Sequence, residues 1–256
     1  MSIISKIEWT DATWNPVRGC SSVSAGCQNC YARTFAERFR GVKDHPFENG
    51  FDLQLIPHKL QEPLKWKKSK RIFVNSMSDL FHENIPTEYI VQCFDTMEQA
   101  NWHQFQIVTK RAERMTHLFA NELKKYSHLE HIWLGVTIEN IKDGLPRLDY
   151  LQSMNNANKF ISIEPLLEDL GQINISKIDW IIVGGESGPR ARPMHEDWVL
   201  SIKEQCETNN VPFFFKQWGG TNKKANGRLL KGEYFDSMPE HLLASIGQRQ
   251  QQYQQV

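Results

Sequence analysis

Short runs of β-branched and aromatic residues alternate with amphipathic helical stretches along most of the chain. This rhythm restricts the fold more than any other feature. Arg71-Ile72-Phe73-Val74 reads as a strand, and Pro86 to Ala100 as a helix with proline near its first turn. Phe105 to Thr109 is the next strand, followed by a helix from about Ala112 to Leu123. Trp133 to Thr137 and Lys142 to Leu151 repeat the pair, and Phe160 to Ile163 is a strand followed by an irregular crossing. Asp179 to Val183, Glu196 to Glu207 and Val211 to Lys216 complete the series as strand, helix and strand. A weaker strand near Trp14 to Val17 leads into a loop and a helix from Tyr31 to Phe39.

Near-continuous apolar strands separated by helices imply a parallel sheet covered on both faces. About seven such units favour a complete or partial βα barrel, expected as one domain over residues 1–247. An open doubly wound sheet is the runner-up. The stretch 248–256 is Gln-rich and is expected to be a disordered tail.

Formal net charge is zero, so a polyanion would need a local basic patch. Three patches exist: Lys65 to Arg71, which includes Trp66; Lys110, Arg111 and Arg114; and Lys223, Lys224, Arg228 and Lys231. The ordinary reading of each is a solvated face. A nucleotide or nucleic-acid substrate becomes an expectation if two of them flank the barrel mouth. The N-terminus lacks the apolar core of a signal peptide, and no stretch is long and apolar enough to span a membrane. A cytoplasmic location follows as an expectation, and there clustered thiols are metal ligands more often than disulfides.

The position just past a strand's C-terminus is where βα proteins place their chemistry. Here those positions carry Asn75, Ser76, Ser78 and Asp79, then Lys110 and Arg111, then Thr137, Glu139 and Asn140. Glu164 follows the next strand, Gly184-Gly185-Glu186 with Arg190 and Arg192 the one after, and Lys216 and Gln217 the last. One polar turn is ordinary; the set describes a ligand-binding mouth.

Three of the five cysteines form one loop, Cys20-x6-Cys27-x2-Cys30, with Gly19 and Gly26 beside them. Cys93 and Cys206 lie in amphipathic helical patterns and are expected to be buried packing residues. A structural zinc site takes four ligands, and no His or Cys stands at a zinc-ribbon spacing from this loop. An iron–sulfur cluster held by three thiolates keeps one iron open to a ligand, and this reading is favoured over zinc.

These segments resemble the radical S-adenosylmethionine (SAM) superfamily. They more closely resemble a phage and prophage family of three-cysteine-motif proteins. The similarity runs through Trp14-Asn15-Pro16 to Cys30-Tyr31-Ala32, Asn75 to Phe81, and Thr109-Lys110-Arg111. It continues in Trp133 to Thr137, Ser162 to Leu166, Val183 to Gly188 and Phe214 to Gly219. The resemblance implies a 4Fe-4S cluster on Cys20, Cys27 and Cys30, whose open iron binds SAM. Reductive cleavage by an external electron donor would then yield a 5′-deoxyadenosyl radical. Tyr31, Ser76, Asp79, Glu139, Glu164 and Glu186 are the residues it suggests for SAM, with Lys110 or Arg111 pairing the carboxylate. The superfamily's commoner spacing is C-x3-C-x2-C, with an aromatic before the last cysteine; here that position is Asn29 and the aromatic is Tyr31. The alternative is a non-catalytic phage or host-interaction protein that uses a zinc or iron–sulfur loop structurally.

Overall fold

A computed structural model of the chain describes residues 7–156 and 158–240, together with Ser5 and Leu242. The Gln-rich stretch expected as a tail lies outside the described residues. In chain order the elements are β1 (Ala12–Trp14), β2 (Val17–Arg18), α1 (Tyr31–Glu37), β3 (Gln54–Leu55) and β4 (Arg71–Val74). Next come α2 (Thr87–Gln99), β5 (Gln104–Thr109), α3 (Ala112–Ala120), β6 (Ile132–Thr137) and α4 (Ile141–Ser153). The series closes with β7 (Asn158–Ile163), β8 (Trp180–Gly184), α5 (Glu196–Thr208), β9 (Phe213–Gln217) and the short α6 (Lys223–Asn226).

Seven strands form one all-parallel sheet in the order β1-β4-β5-β6-β7-β8-β9. No described residues pair β1 with β9, so the partial barrel, and not the closed one, is the architecture. The weak strand expected near Trp14 to Val17 is two strands. β1 joins the main sheet, while β2 leaves it and pairs antiparallel with β3. The irregular crossing expected after β7 is seen: no helix lies between β7 and β8.

The helices pack on the convex face. In α2 the residues Ile90, Cys93, Phe94 and Met97 recur at helical spacing and are buried, as are Met115, Leu118 and Phe119 of α3. They meet Ile72, Val74, Phe105, Ile107, Leu134, Val136, Ile161 and Val183, the outward residues of the strands. Both Cys93 and Cys206 are buried in this layer.

The concave face explains the curl. Trp9, just before β1, packs with Phe73 of β4 at 4.8 Å between ring centroids and with Trp180 of β8 at 6.3 Å. On a flat sheet β4 and β8 would stand roughly 19 Å apart, four strand spacings of about 4.8 Å, beyond the reach of one indole. The strands must therefore bend around it. Trp133, Phe160 and Phe214 complete this inner aromatic cluster. Further along each strand the inward side chains become smaller and then polar, through Ile182, Thr137 and Ser162 to Glu164 and Lys216. The half-barrel is thus plugged at the base and open at the rim.

Trp9 is 2% exposed, and no hydrogen-bonded strand pair replaces it across the gap. Trp9→Ala is expected to cost about 3–5 kcal/mol, by large-to-small core replacement. A urea denaturation series measures the loss. A cost under about 1 kcal/mol would show that the curl does not depend on this ring.

Candidate functional site

The cysteine loop lies across the rim. Gly19 enters it with φ +77, and a Cβ there would lie 2.1 Å from the Asp52 carbonyl oxygen, so only glycine permits this turn. A parallel bridge joins Gly19 to Ser78, and the Gly19 N–H donates to the Met77 carbonyl (3.0 Å). Beyond Cys30 the chain turns directly into α1.

Three groups of side chains stake the loop to the strand ends. Near its start, Arg111 donates to the Ser21 hydroxyl (2.9 Å) and to Cys20 Sγ (3.4 Å), and the Ser21 hydroxyl pairs with His82 Nε2 (2.9 Å). At its middle, Ser24 Oγ donates to Glu139 Oε1 and the Ala25 N–H to Asp143 Oδ2 (3.3 Å). At its end, Asn29 Nδ2 donates to Glu186 Oε2 (3.0 Å) and to the Arg190 carbonyl (2.8 Å), while Arg192 Nη2 donates to the Ala25 carbonyl (3.0 Å).

Beneath the loop is a cavity of about 400 Å³. Cys20, Cys27 and Cys30 all line it. Trp9, Phe73 and Val108 form its floor, and Asn75, Lys110, Thr137, Ser162, Glu164 and Lys216 its polar wall. Lys216 pairs with Glu164 (2.7 Å), which also accepts from the Ser162 hydroxyl (3.0 Å). This pair reaches from β7 to β9 across β8 because position 184 is glycine; a Cβ there would stand 2.9 Å from the Glu164 carboxylate.

The expected site residues divide into three groups. Tyr31, Ser76, Lys110 and Glu164 line the cavity with the cysteines, and the Tyr31 hydroxyl donates to the Ser76 carbonyl (2.6 Å). Asp79 and Arg111 also border it, but their polar atoms are committed to each other and to neighbours. Asp79 accepts from the Phe81 N–H (3.0 Å), the Thr109 hydroxyl (2.7 Å), the Lys110 N–H (3.0 Å) and Arg111 (3.1 Å). Glu139 and Glu186 do not line the cavity. They stand behind the loop, paired with Arg147 (2.6 Å) and Arg192 (2.5 Å).

Sequence reasoning missed Arg147 and Ser24 as partners of Glu139. The signal for Arg147 was a charged residue amid the apolar face of α4, between Gly144 and Leu151. The Ser162–Glu164 contact was also missed, although two residues apart on a strand is same-face spacing.

Of the basic patches, the one with Lys110 and Arg111 borders the cavity among the described side chains. Lys65, Lys67, Lys68 and Lys70 line a separate groove with His58, Lys59 and Glu62, next to the N-terminal ends of β4 and β5. Arg114 donates to the Ile85 carbonyl (2.7 Å), and Arg228 pairs with Asp236. Only Lys110 of these patches reaches the cavity with its side chain uncommitted to an ion pair among the described residues.

All three thiols border the cavity, and thiolates are the ligands that an iron–sulfur cluster takes. Among the described residues no three His, Cys, Asp or Glu side chains are gathered closely enough to share a single ion. A cubane takes one thiolate per iron corner, so its ligands need not converge on a single ion. Burial and the Asp79 charge push the Cys20 thiol up to about 11 despite the opposing Arg111 charge, so the thiol carries its proton at neutral pH.

Glu139 is the loop's deepest anchor, with a side chain 0% exposed. Burial pushes its carboxyl up, but the Lys110 charge and the Arg147 hydrogen bond outweigh burial and hold it below its ordinary 4.5. Its contribution to stability is therefore fully present above pH 4.5 and is lost as pH falls through the lowered folded value. Hydrogen exchange of residues 24–30, taken relative to the intrinsic rate, should accelerate over that acid range, and in Glu139→Gln this pH dependence should shrink to the part carried by Asp143 and Glu186, which also hold the loop. Glu139→Ala leaves Arg147 uncompensated and is expected to cost about 3–5 kcal/mol in denaturant unfolding.

A family model described as "Protein of unknown function (DUF5131)" matches residues 4–239. No match was found among curated proteins. Among solved structures, forms of spore photoproduct lyase are similar. One mutant gives a TM-score of 0.49 at 11% identity, and a second mutant, with bound AdoMet and dinucleoside spore photoproduct, 0.46 at 11%. The enzyme complexed with dinucleoside spore photoproduct gives 0.47 at 11%. Each comparison covers 99% of this chain and 76% of the other. With the family match running from residue 4 to residue 239, the chain belongs to the DUF5131 family.

Proposed function

We propose that this protein is an iron–sulfur enzyme that cleaves SAM reductively and acts on a substrate held in the rim cavity. The observation that carries the reading is the opening of all three cysteines of one loop onto a single cavity walled by polar strand ends. When bound, a 4Fe-4S cluster with an open iron supplies electron transfer to SAM and hence a 5′-deoxyadenosyl radical. Cys20, Cys27 and Cys30 are its ligands in this reading.

The remaining work falls to the chain's own side chains. In this reading Glu164, which lines the cavity, accepts a hydrogen bond from an ammonium or hydroxyl group, and Lys110 and Lys216, which also line it, pair an anionic group such as a carboxylate or nucleotide phosphate. Tyr31 supplies a ring at the edge of the cavity on which an adenine or substrate base stacks. The aromatic floor of Trp9 and Phe73 excludes water from below. Glu139 and Glu186 act through the loop by holding it in place.

Anaerobic purification with iron and sulfide analysis, visible absorption and assay for 5′-deoxyadenosine tests this directly. The wild type should hold about four irons per chain, and Cys27→Ala should lose the cluster. Stoichiometric zinc without visible absorption would overturn the enzyme reading and favour a structural site. Glu164→Gln should keep its iron but weaken SAM or substrate binding by about 10- to 100-fold, the loss expected for one charge-assisted hydrogen bond. Glu186→Gln, by contrast, should lower iron retention before it affects binding. Equal binding in both variants would remove Glu164 from the proposed ligand set.

A further inference from the structure

Arg111 is one of the two cations, with Lys110, that the sequence offers for the carboxylate of SAM, and its surroundings leave it no free donor for that task. Its Nε donates to Glu83 Oε2 (2.7 Å). Nη1 donates to Asp79 Oδ2 (3.1 Å) and to Cys20 Sγ (3.4 Å), and Nη2 to the Ser21 hydroxyl (2.9 Å) and carbonyl (3.3 Å). A guanidinium has five N–H groups, and each has an acceptor here. The side chain is 8% exposed. It cannot turn toward the cavity without leaving Asp79 unpaired, and Asp79 is itself fixed by the Thr109 hydroxyl and the Phe81 and Lys110 N–H groups.

Among the described residues, Cys20 is the cysteine whose sulfur meets a cationic donor. Cys27 Sγ lies 3.8 Å from the Ser24 hydroxyl, and among the described residues no hydrogen bond to Cys30 Sγ is present. The three thiols are therefore electrostatically unequal. A donor on a ligating sulfur draws off charge and favours the more reduced, more negative cluster, and a charged donor does so more strongly than a neutral one. Around this sulfur the guanidinium is opposed by Asp79 and Glu83, so the local balance is tuned by both signs.

We infer that Arg111 is a positioning residue that fixes Cys20 and raises the reduction potential of a cluster held there, with Glu83 as its counterweight. The inference rests on the iron–sulfur reading above. It also predicts shifts of opposite sign from two neighbouring residues, which a merely structural role would not produce. Loss of Arg111 removes the sulfur's donor and leaves two carboxylates uncompensated, so the potential falls. Loss of the Glu83 charge leaves Arg111 less neutralised, so the potential rises.

The test is an EPR-monitored redox titration of the reconstituted protein without SAM or substrate, for wild type, Arg111→Gln, Arg111→Lys and Glu83→Gln. Arg111→Gln should shift the oxidised-to-reduced ratio about tenfold toward oxidised, which is 59 mV for a one-electron couple. Arg111→Lys keeps the charge but not the five-donor fork, and should fall between it and wild type. Glu83→Gln should shift the ratio the other way and by less, because Glu83 is 58% exposed and water screens it. If Arg111→Gln fails to fold or to hold iron, Glu83→Gln decides alone: a raised potential supports the inference, and an unchanged or lowered one overturns it. A wild type that binds no iron overturns this inference and the iron–sulfur reading together. Iron in the wild type with equal potentials in all variants overturns only the role of Arg111.

Discussion

The packing of a single indole against rings from widely separated strands is the contact on which the rest of the architecture depends. Seven parallel strands do not close by hydrogen bonding, because β1 and β9 remain unpaired with each other among the described residues. Trp9 supplies what the missing strand pair does not. By touching Phe73, Phe160 and Trp180 together, it sets the curvature that brings the ends of β4 and β8 around one space. That curvature turns a row of polar strand ends into a mouth. A flatter sheet would carry the same residues along a line, too far apart to share a ligand.

The cysteine loop then depends on the curvature in turn. Its stakes come from the strand ends after β4, β5, β6 and β8, and these converge only because the sheet is bent. The buried Glu139–Arg147 pair illustrates the energetic logic. Separating either partner would strand a charge in a dry environment, so the loop's middle is held by the cost of leaving more than by the gain of arriving. Side chains that looked like ligands in the sequence are therefore of two kinds, those that face the cavity and those that hold its roof.

Much of the sheet was legible because buried parallel strands must be apolar on both faces, a pattern Trp133 to Thr137 and Phe160 to Ile163 display. The same property hid which face turned inward, so the aromatic core of Trp133, Phe160, Trp180 and Phe214 could not be separated from the outer layer. The β2–β3 pair escaped notice because two-residue strands are too short to show alternation. Openness of the barrel was illegible for a related reason: it is decided by packing around Trp9, which sits outside any strand. At the rim, residue type was readable but partnership was not. Arg111 and Cys20 are 91 positions apart, and nothing local to either says that they meet.

The anchoring of the loop also has a consequence in time. Asn29 and Glu186 are 157 residues apart, and Ala25 and Arg192 are 167 apart. During synthesis at about 5–20 residues per second, the cysteines are made roughly 10–30 s before the last residues that hold them. Through that interval the nascent chain carries three neighbouring thiols without their framework, exposed to oxidation and to stray metal ions. A cell making this protein gains from keeping those thiols reduced until the chain is finished.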